Sequence, residues 1–137
     1  MANRLFDLGR QAFLSGSIAW GTDTIKVIGL NSGYVPNSAA HQFLSDVVGA
    51  ANVNVVAAGV ALSSKTATAG VANAASADFG NIASGTITYL VIYKDTTVAA
   101  TSPLIALIDT ATNLPVTGNG GDISITWDTG ANKIFKL

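Results

Sequence analysis

The sequence predicts a mainly β fold: an antiparallel β-sandwich, jelly-roll-like, with one short N-terminal helix. Three observations point there. Short runs rich in β-branched and aromatic residues recur along the chain, separated by Gly, Pro, Asn and Asp turn signals. All eight acidic residues are aspartate, with no glutamate. Aspartate suits turns and caps, whereas glutamate suits helix interiors. Finally, 137 residues fit one domain, and a domain of that size buries roughly two-thirds of the surface its unfolded chain exposes.

The elements follow in order. Residues 1–16 are expected to form a helix or arm, and residues 17–137 a single sandwich domain. Asn3 is placed to cap the helix. Leu5, Phe6, Gly9, Ala12 and Phe13 fall on one stripe at helical spacing. Asp7 lies near the positive end of the dipole, and Gly16 marks the stop. The stripe either packs on the domain's own sheet or docks on a partner. Residues 20–23 (Trp-Gly-Thr-Asp) read as a turn and 23–30 as a strand. Asn31-Ser32-Gly33 and Pro36-Asn37 bracket a loop. Ala40, Phe43, Leu44 and Val47 have helical spacing, with Asn37 or Ser38 as the cap and Gly49 as the end.

Residues 51–85 are rich in Ala, Gly, Ser, Thr and Val. Strands are expected over 53–62 and 66–71. A long loop is expected over 72–85, with at most a short strand near Phe79. The segment 86–94 is apolar on both faces at its centre, which predicts a central strand. Residues 102–109 form the next strand, with Pro103 at its start, where a missing N–H does least harm. Leu114-Pro115 and the run Gly118-Asn119-Gly120-Gly121 are loop chemistry. Ile123, Ile125 and Trp127 alternate with Ser124 and Thr126, the pattern of a half-buried strand. Residues 133–137 close the chain as another.

Charge is scarce. Net charge is −1 and charged residues are 11% of the chain, against a usual share of about 25%. The cations are spread along the sequence with no cluster, so nucleic acid is not an expected partner. The longest apolar run, residues 55–62, is far short of the roughly 20 residues of a membrane-spanning helix. Asp7 and Arg10 interrupt the place where a secretory signal would be apolar. Mean hydropathy is +0.44. So apolar and weakly charged a chain is expected to bury surface in an assembly; the alternative is an ordinary core of Ala, Val and Gly.

Reactive chemistry is poorly supported. No cysteine is present, which excludes disulfides and thiolate ligands. His41 is the sole histidine, and one histidine without Cys or Glu makes a poor metal site. Ser, His and Asp are all available, yet no Gly-x-Ser-x-Gly elbow presents a nucleophile. Asp109, Asp122 and Asp128 are the acids that sheet pairing could bring together for sugar chemistry, but each flanks a strand end or a turn. The glycine-rich 118–122 run precedes a strand rather than the helix a phosphate loop needs; its Asn and Asp oxygens could serve calcium weakly, but such a site needs about six to eight oxygens, and a hairpin loop is the better reading. Trp20, Tyr34, Tyr89, Tyr93 and Trp127 are candidates for a stacking platform, although strand aromatics are more often core. Of these only Tyr34, in a polar loop, is expected to be exposed. No cofactor and no metal is expected, and no enzymatic activity.

Several blocks carry a resemblance. They are Met1-Ala2-Asn3-Arg4 with Phe6, Gly9-Arg10 and Phe13-Leu14; His41-Gln42-Phe43-Leu44-Ser45-Asp46; Val91-Ile92-Tyr93-Lys94-Asp95; Ile108-Asp109-Thr110-Ala111-Thr112; and Gly130 through to Leu137. Together they resemble a family of small structural proteins of tailed bacteriophages and prophages. The likeness spans nearly the whole chain except its Ala/Gly/Ser/Thr-rich middle, and it brings no catalytic residues with it. It implies a virion structural protein made in the bacterial cytoplasm and carried on the particle, with the head exterior as the expected place. By analogy of size and fold, the role is head decoration, or cement; a tail or baseplate component and a carbohydrate-binding module are the alternatives. The implied partners are the major capsid protein or another virion protein, and further copies of the chain as a dimer or trimer. Neither nucleic acid nor membrane is among them. The contact residues expected are Leu5, Phe6, Phe13, Tyr34 and Phe79.

Overall fold

A computed structural model describes residues 3–110 and 114–137. Met1, Ala2, Ala111 and Thr112, which carry part of the resemblance, lie outside the described residues. The chain folds as antiparallel β-structure with a short N-terminal helix, as predicted. In chain order the elements are β1 (Arg4–Leu5), α1 (Asp7–Leu14), β2 (Ile25–Leu30), α2 (Ser45–Val48), β3 (Val55–Ala61), β4 (Thr66–Thr68), β5 (Val71–Asn73), β6 (Ala77–Asn81), β7 (Thr86–Ile87), β8 (Tyr89–Lys94), β9 (Leu104–Ile108), β10 (Val116–Thr117), β11 (Asp122–Ile125) and β12 (Phe135–Lys136).

One sheet organises the molecule, with strand order β1-β9-β8-β2-β3. The apolar strand predicted to be central, β8, is its middle member. β2 pairs with it without interruption from Ile25↔Lys94 to Leu30↔Tyr89. Both faces of this sheet are covered. Ile25, Val27, Leu90, Ile92 and Ile108 point into the larger core. The opposite layer is built by three antiparallel ribbons: β10-β7, β11-β6 and β12-β5-β4. They contribute Ala72, Ala77, Ile87, Ile123 and Ile125 to the same core. The chain passes between layers at Thr88: Ile87 pairs with Val116, whereas Tyr89 pairs with Leu30. Ala57, Ala72, Ala74, Ala77 and Ala106 sit in this core among larger Ile, Leu, Val and Trp side chains. The second face of the sheet carries Ile28, Leu30, Val91, Tyr93, Leu104 and Leu107, covered by Phe6, Tyr34, Val47 and Val48.

Several expectations are corrected. The first residues are not a helical arm. Residues 4–5 are a strand, with Arg4 opposite Leu107 and Leu5 opposite Ala106. Extended backbone sends successive side chains to opposite faces, so Leu5 enters the larger core and Phe6 the smaller one. Asn3 does not cap α1, whose N-cap is Phe6. Its side-chain oxygen instead accepts the N–H groups of Asp109 and Thr110, both at 2.9 Å, and its amide donates to the Thr110 carbonyl.

The helix expected around 40–47 is reduced to α2. The Asp46 carboxylate accepts the N–H groups of Gln42 and Phe43 at 2.8 and 2.9 Å. That local side-chain bond competes with helix formation upstream. The stretch 72–85, expected as loop with at most a short strand near Phe79, does hold that strand as β6, and most of β5 besides. β4 and β5 form a hairpin whose turn residues Ala69 and Gly70 have φ of 52° and 80°, the left-handed pair that a tight two-residue turn requires.

Candidate interaction surface

The five expected contact residues divide into two groups. Leu5, Phe6 and Tyr34 are 6%, 0% and 3% exposed. The monomer covers them itself, and the expectation of an exposed Tyr34 is corrected. Phe13 and Phe79 are only partly buried against the larger core. The Phe13 ring lies 5.9 Å from that of Phe135, on which Trp20 also stands edge-on at 5.3 Å. The large exposed apolar side chains are others: Leu14 at 87%, Val35 at 76%, Val53 at 68%, Leu137 at 55% and Val98 at 53%. Leu14 was within reach of sequence reasoning as the last residue of α1, off the packed stripe. The valines carried no such signal.

The aromatic platform does not exist as a surface. Trp20, Tyr34, Tyr93 and Trp127 are all buried. The indole N–H of Trp127 donates to the Ala75 carbonyl at 2.9 Å, the usual way a buried indole is satisfied. Tyr34 makes a 2.9 Å hydrogen bond with His41 Nδ1 and packs edge-on against Tyr89. Burial pushes the Tyr34 phenol up to about 12. His41 thus acts as a partner for a core tyrosine.

No protein-family model matches the chain, and no curated protein matches it.

The aspartates do structural work. Asp23 accepts the Ala19 N–H at 2.7 Å and pairs with Lys94 at 3.1 Å. Asp95 pairs with Lys26 at 2.8 Å and accepts the Thr97 N–H. Asp78 and Asp128 accept the N–H groups of Gly80 and Gly130, two residues ahead of each, as aspartate does in tight turns. Asp128 lines one groove and Asp122 another, so these two of the acids weighed for sugar chemistry stand apart. Among the described residues no three His or Asp side chains are grouped to hold a metal ion. Nor is any helix among them long and apolar enough to cross a membrane.

These contacts set an acid limit on stability. Asp23, Asp46 and Asp95 are held below the ordinary aspartate value of 3.8. For Asp23 the chief cause is the Ala19 N–H, and for Asp95 the Lys26 side chain. For Asp46 burial pulls upward, but the Phe43 and Gln42 N–H groups outweigh it. A carboxyl whose folded value is depressed stabilises the fold above its unfolded value, and that stability is lost as pH falls through the folded value. Thermal melts are therefore expected to be level from neutrality to about pH 5 and to drop below about pH 4. A melting temperature unchanged at pH 3 would contradict these roles.

A groove runs between β1 and β12. It has a volume of about 300 Å³ and is lined by Arg4, Leu5, Arg10, Lys133, Phe135 and Lys136, among others. A hollow of about 340 Å³ adjoins it at Asn3, Asp128 and Lys133.

Proposed function

We propose that this chain is a non-catalytic structural protein of a tailed-phage particle, and that it works through contact area as a decoration protein of the head. The observation that carries this reading is the character of the surface. Large apolar side chains stand exposed at Leu14, Val35, Val53, Val98 and Leu137, while charged residues are only 11% of the chain. Several of those charges are spent on turns and internal ion pairs. A surface so poor in charge favours association. The likeness of the sequence blocks to phage structural proteins supplies the setting.

Such a protein acts by multivalency. Many modest interfaces, each bridging neighbouring capsid subunits, add through effective concentration. Binding the assembled shell but not its loose subunits stabilises the shell. Particles lacking the protein are expected to rupture at lower temperature and under weaker osmotic shock than particles carrying it. Equal robustness would remove the cement role. Densitometry of purified particles separates the alternatives. A decoration protein is present at a copy number comparable to the major capsid protein, a tail or baseplate component at far fewer copies, and absence from the particle would end the virion reading.

A further inference from the structure

A strand edge presents unpaired N–H and C=O groups that another strand can join, and natural proteins guard such edges with charge, proline or short length. Most edges in this molecule are guarded. β1 and β12 are two residues each and carry Arg4 and Lys136. β4, β7 and β10 are two or three residues long. β6 and β11 carry Asp78 and Asp122. β3 differs. It is outermost in the five-stranded sheet and runs for seven residues, Val-Val-Ala-Ala-Gly-Val-Ala. Residues 47–64, which contain it, hold no charged side chain and no proline.

The outer side of β3 is open. β6 and β7 touch the strand from the facing layer, but its ladder is with β2 alone. Among the described residues no other hydrogen bond reaches a backbone group of Val55–Ala61. Ala58 at its centre and Ala61 at its end are exposed. Val53, two residues before its start, is 68% exposed. Such a row of backbone groups is matched by an extended segment, and a second copy of β3 suits it. Antiparallel pairing of identical strands about a two-fold axis is self-complementary and closes. With the axis at Ala58, Val56 stands opposite Val60 and Val55 opposite Ala61. No like charges meet, and apolar side chains pair across the axis. The ladder between β2 and β3 shifts register twice, which increases the local twist; an identical strand brings the same twist.

We propose that β3 pairs with β3 of a second copy, antiparallel about Ala58, and joins two five-stranded sheets into one continuous sheet. This names one partner for the assembly reading above. It rests on that reading only in taking the dimer as the unit that docks on a particle.

Sedimentation of the full chain over a concentration series tests this, and a reversible dimer is expected. The chain has no cysteine, so a single substitution reports the geometry. Ala58→Cys sets two thiols across the axis on Cβ atoms about 4.5–5.5 Å apart, close to disulfide distance. Mild oxidation is expected to give a covalent dimer, whereas Thr68→Cys, on the edge of β4, stays uncrosslinked. Ala58→Lys and Ala58→Glu each place like charges across the axis. Each is expected to weaken the dimer about fivefold and to keep its melting temperature in dilute solution; mixing the two variants is expected to restore pairing. The proposal is overturned by a monomer at every concentration at which the chain stays dissolved, or by a dimer that Ala58→Cys does not cross-link. It is also overturned by charge variants that pair as tightly as the unsubstituted chain or fail to recover on mixing. Particles play no part in these measurements. A chain that dimerises through β3 yet is absent from particles would end the decoration role and leave the pairing standing.

Discussion

Replacing Phe6 by alanine is expected to cost about 3–5 kcal/mol of folding stability. The side chain is fully buried in the smaller core, among Ile28, Leu30, Tyr34, Val91 and Leu107. Its own backbone N–H donates to the Ile105 carbonyl at 2.9 Å, and the next N–H, of Asp7, donates to Ser38 at 2.9 Å. The ring therefore sits where the edge of the main sheet meets the excursion between β2 and β3. Truncation loses the transfer energy of the ring and leaves a cavity whose walls are tied down by backbone bonds, so collapse is limited. Leu14→Ser is the control. That side chain is 87% exposed, and its replacement is expected to change stability by no more than about 0.5 kcal/mol. Urea titrations of the two variants check this. Near-wild-type stability of Phe6→Ala would mean that the N-terminal segment is a detachable arm after all.

The contrast between these residues shows what the sequence could and could not reveal. β2, β8, β9 and β11 were legible because their patterns are unambiguous. β8 and β9 are apolar on both faces, and Ile123, Ile125 and Trp127 alternate cleanly with polar residues. Leu5 and Phe6 were misassigned because an apolar doublet fits a broad helical stripe as easily as a short strand crossing between two cores. β5 was hidden by composition, and β6 was legible only as a short strand near Phe79. Ala72, Ala74 and Ala77 are buried, yet alanine carries little hydrophobic signal. Tyr34 was misread for a different reason. Its neighbours are polar, but His41, seven residues on, satisfies its hydroxyl and lets the ring sink. The groove between β1 and β12 was beyond sequence reasoning, because its walls come from the two ends of the chain.

Gly9→Ala carries the second large effect, and its sign is diagnostic. Gly9 lies within α1, where alanine is favoured over glycine by about 1 kcal/mol. On propensity alone the substitution should stabilise the protein. The structure predicts the reverse. α1 rests directly on β9, and a Cβ built on Gly9 would stand 2.5 Å from the Leu104 carbonyl oxygen and 3.2 Å from the Ile105 Cα. Both are backbone atoms of a strand paired on each side, with β8 and with β1. Neither can rotate away as a flexible side chain would. Either the helix lifts off the sheet or β9 bends, and overpacking of this kind costs about 1–3 kcal/mol beyond any helical gain. The melting temperature is expected to fall by several degrees, with urea midpoints falling in parallel. Gly16→Ala serves as the comparison: a Cβ there meets nothing within 4 Å, but φ is +77°, so its smaller cost comes from backbone conformation alone. A stabilised Gly9→Ala variant would show that α1 does not pack against β9 at this distance. The N-terminal helix would then be free to leave the sheet and serve as a docking arm.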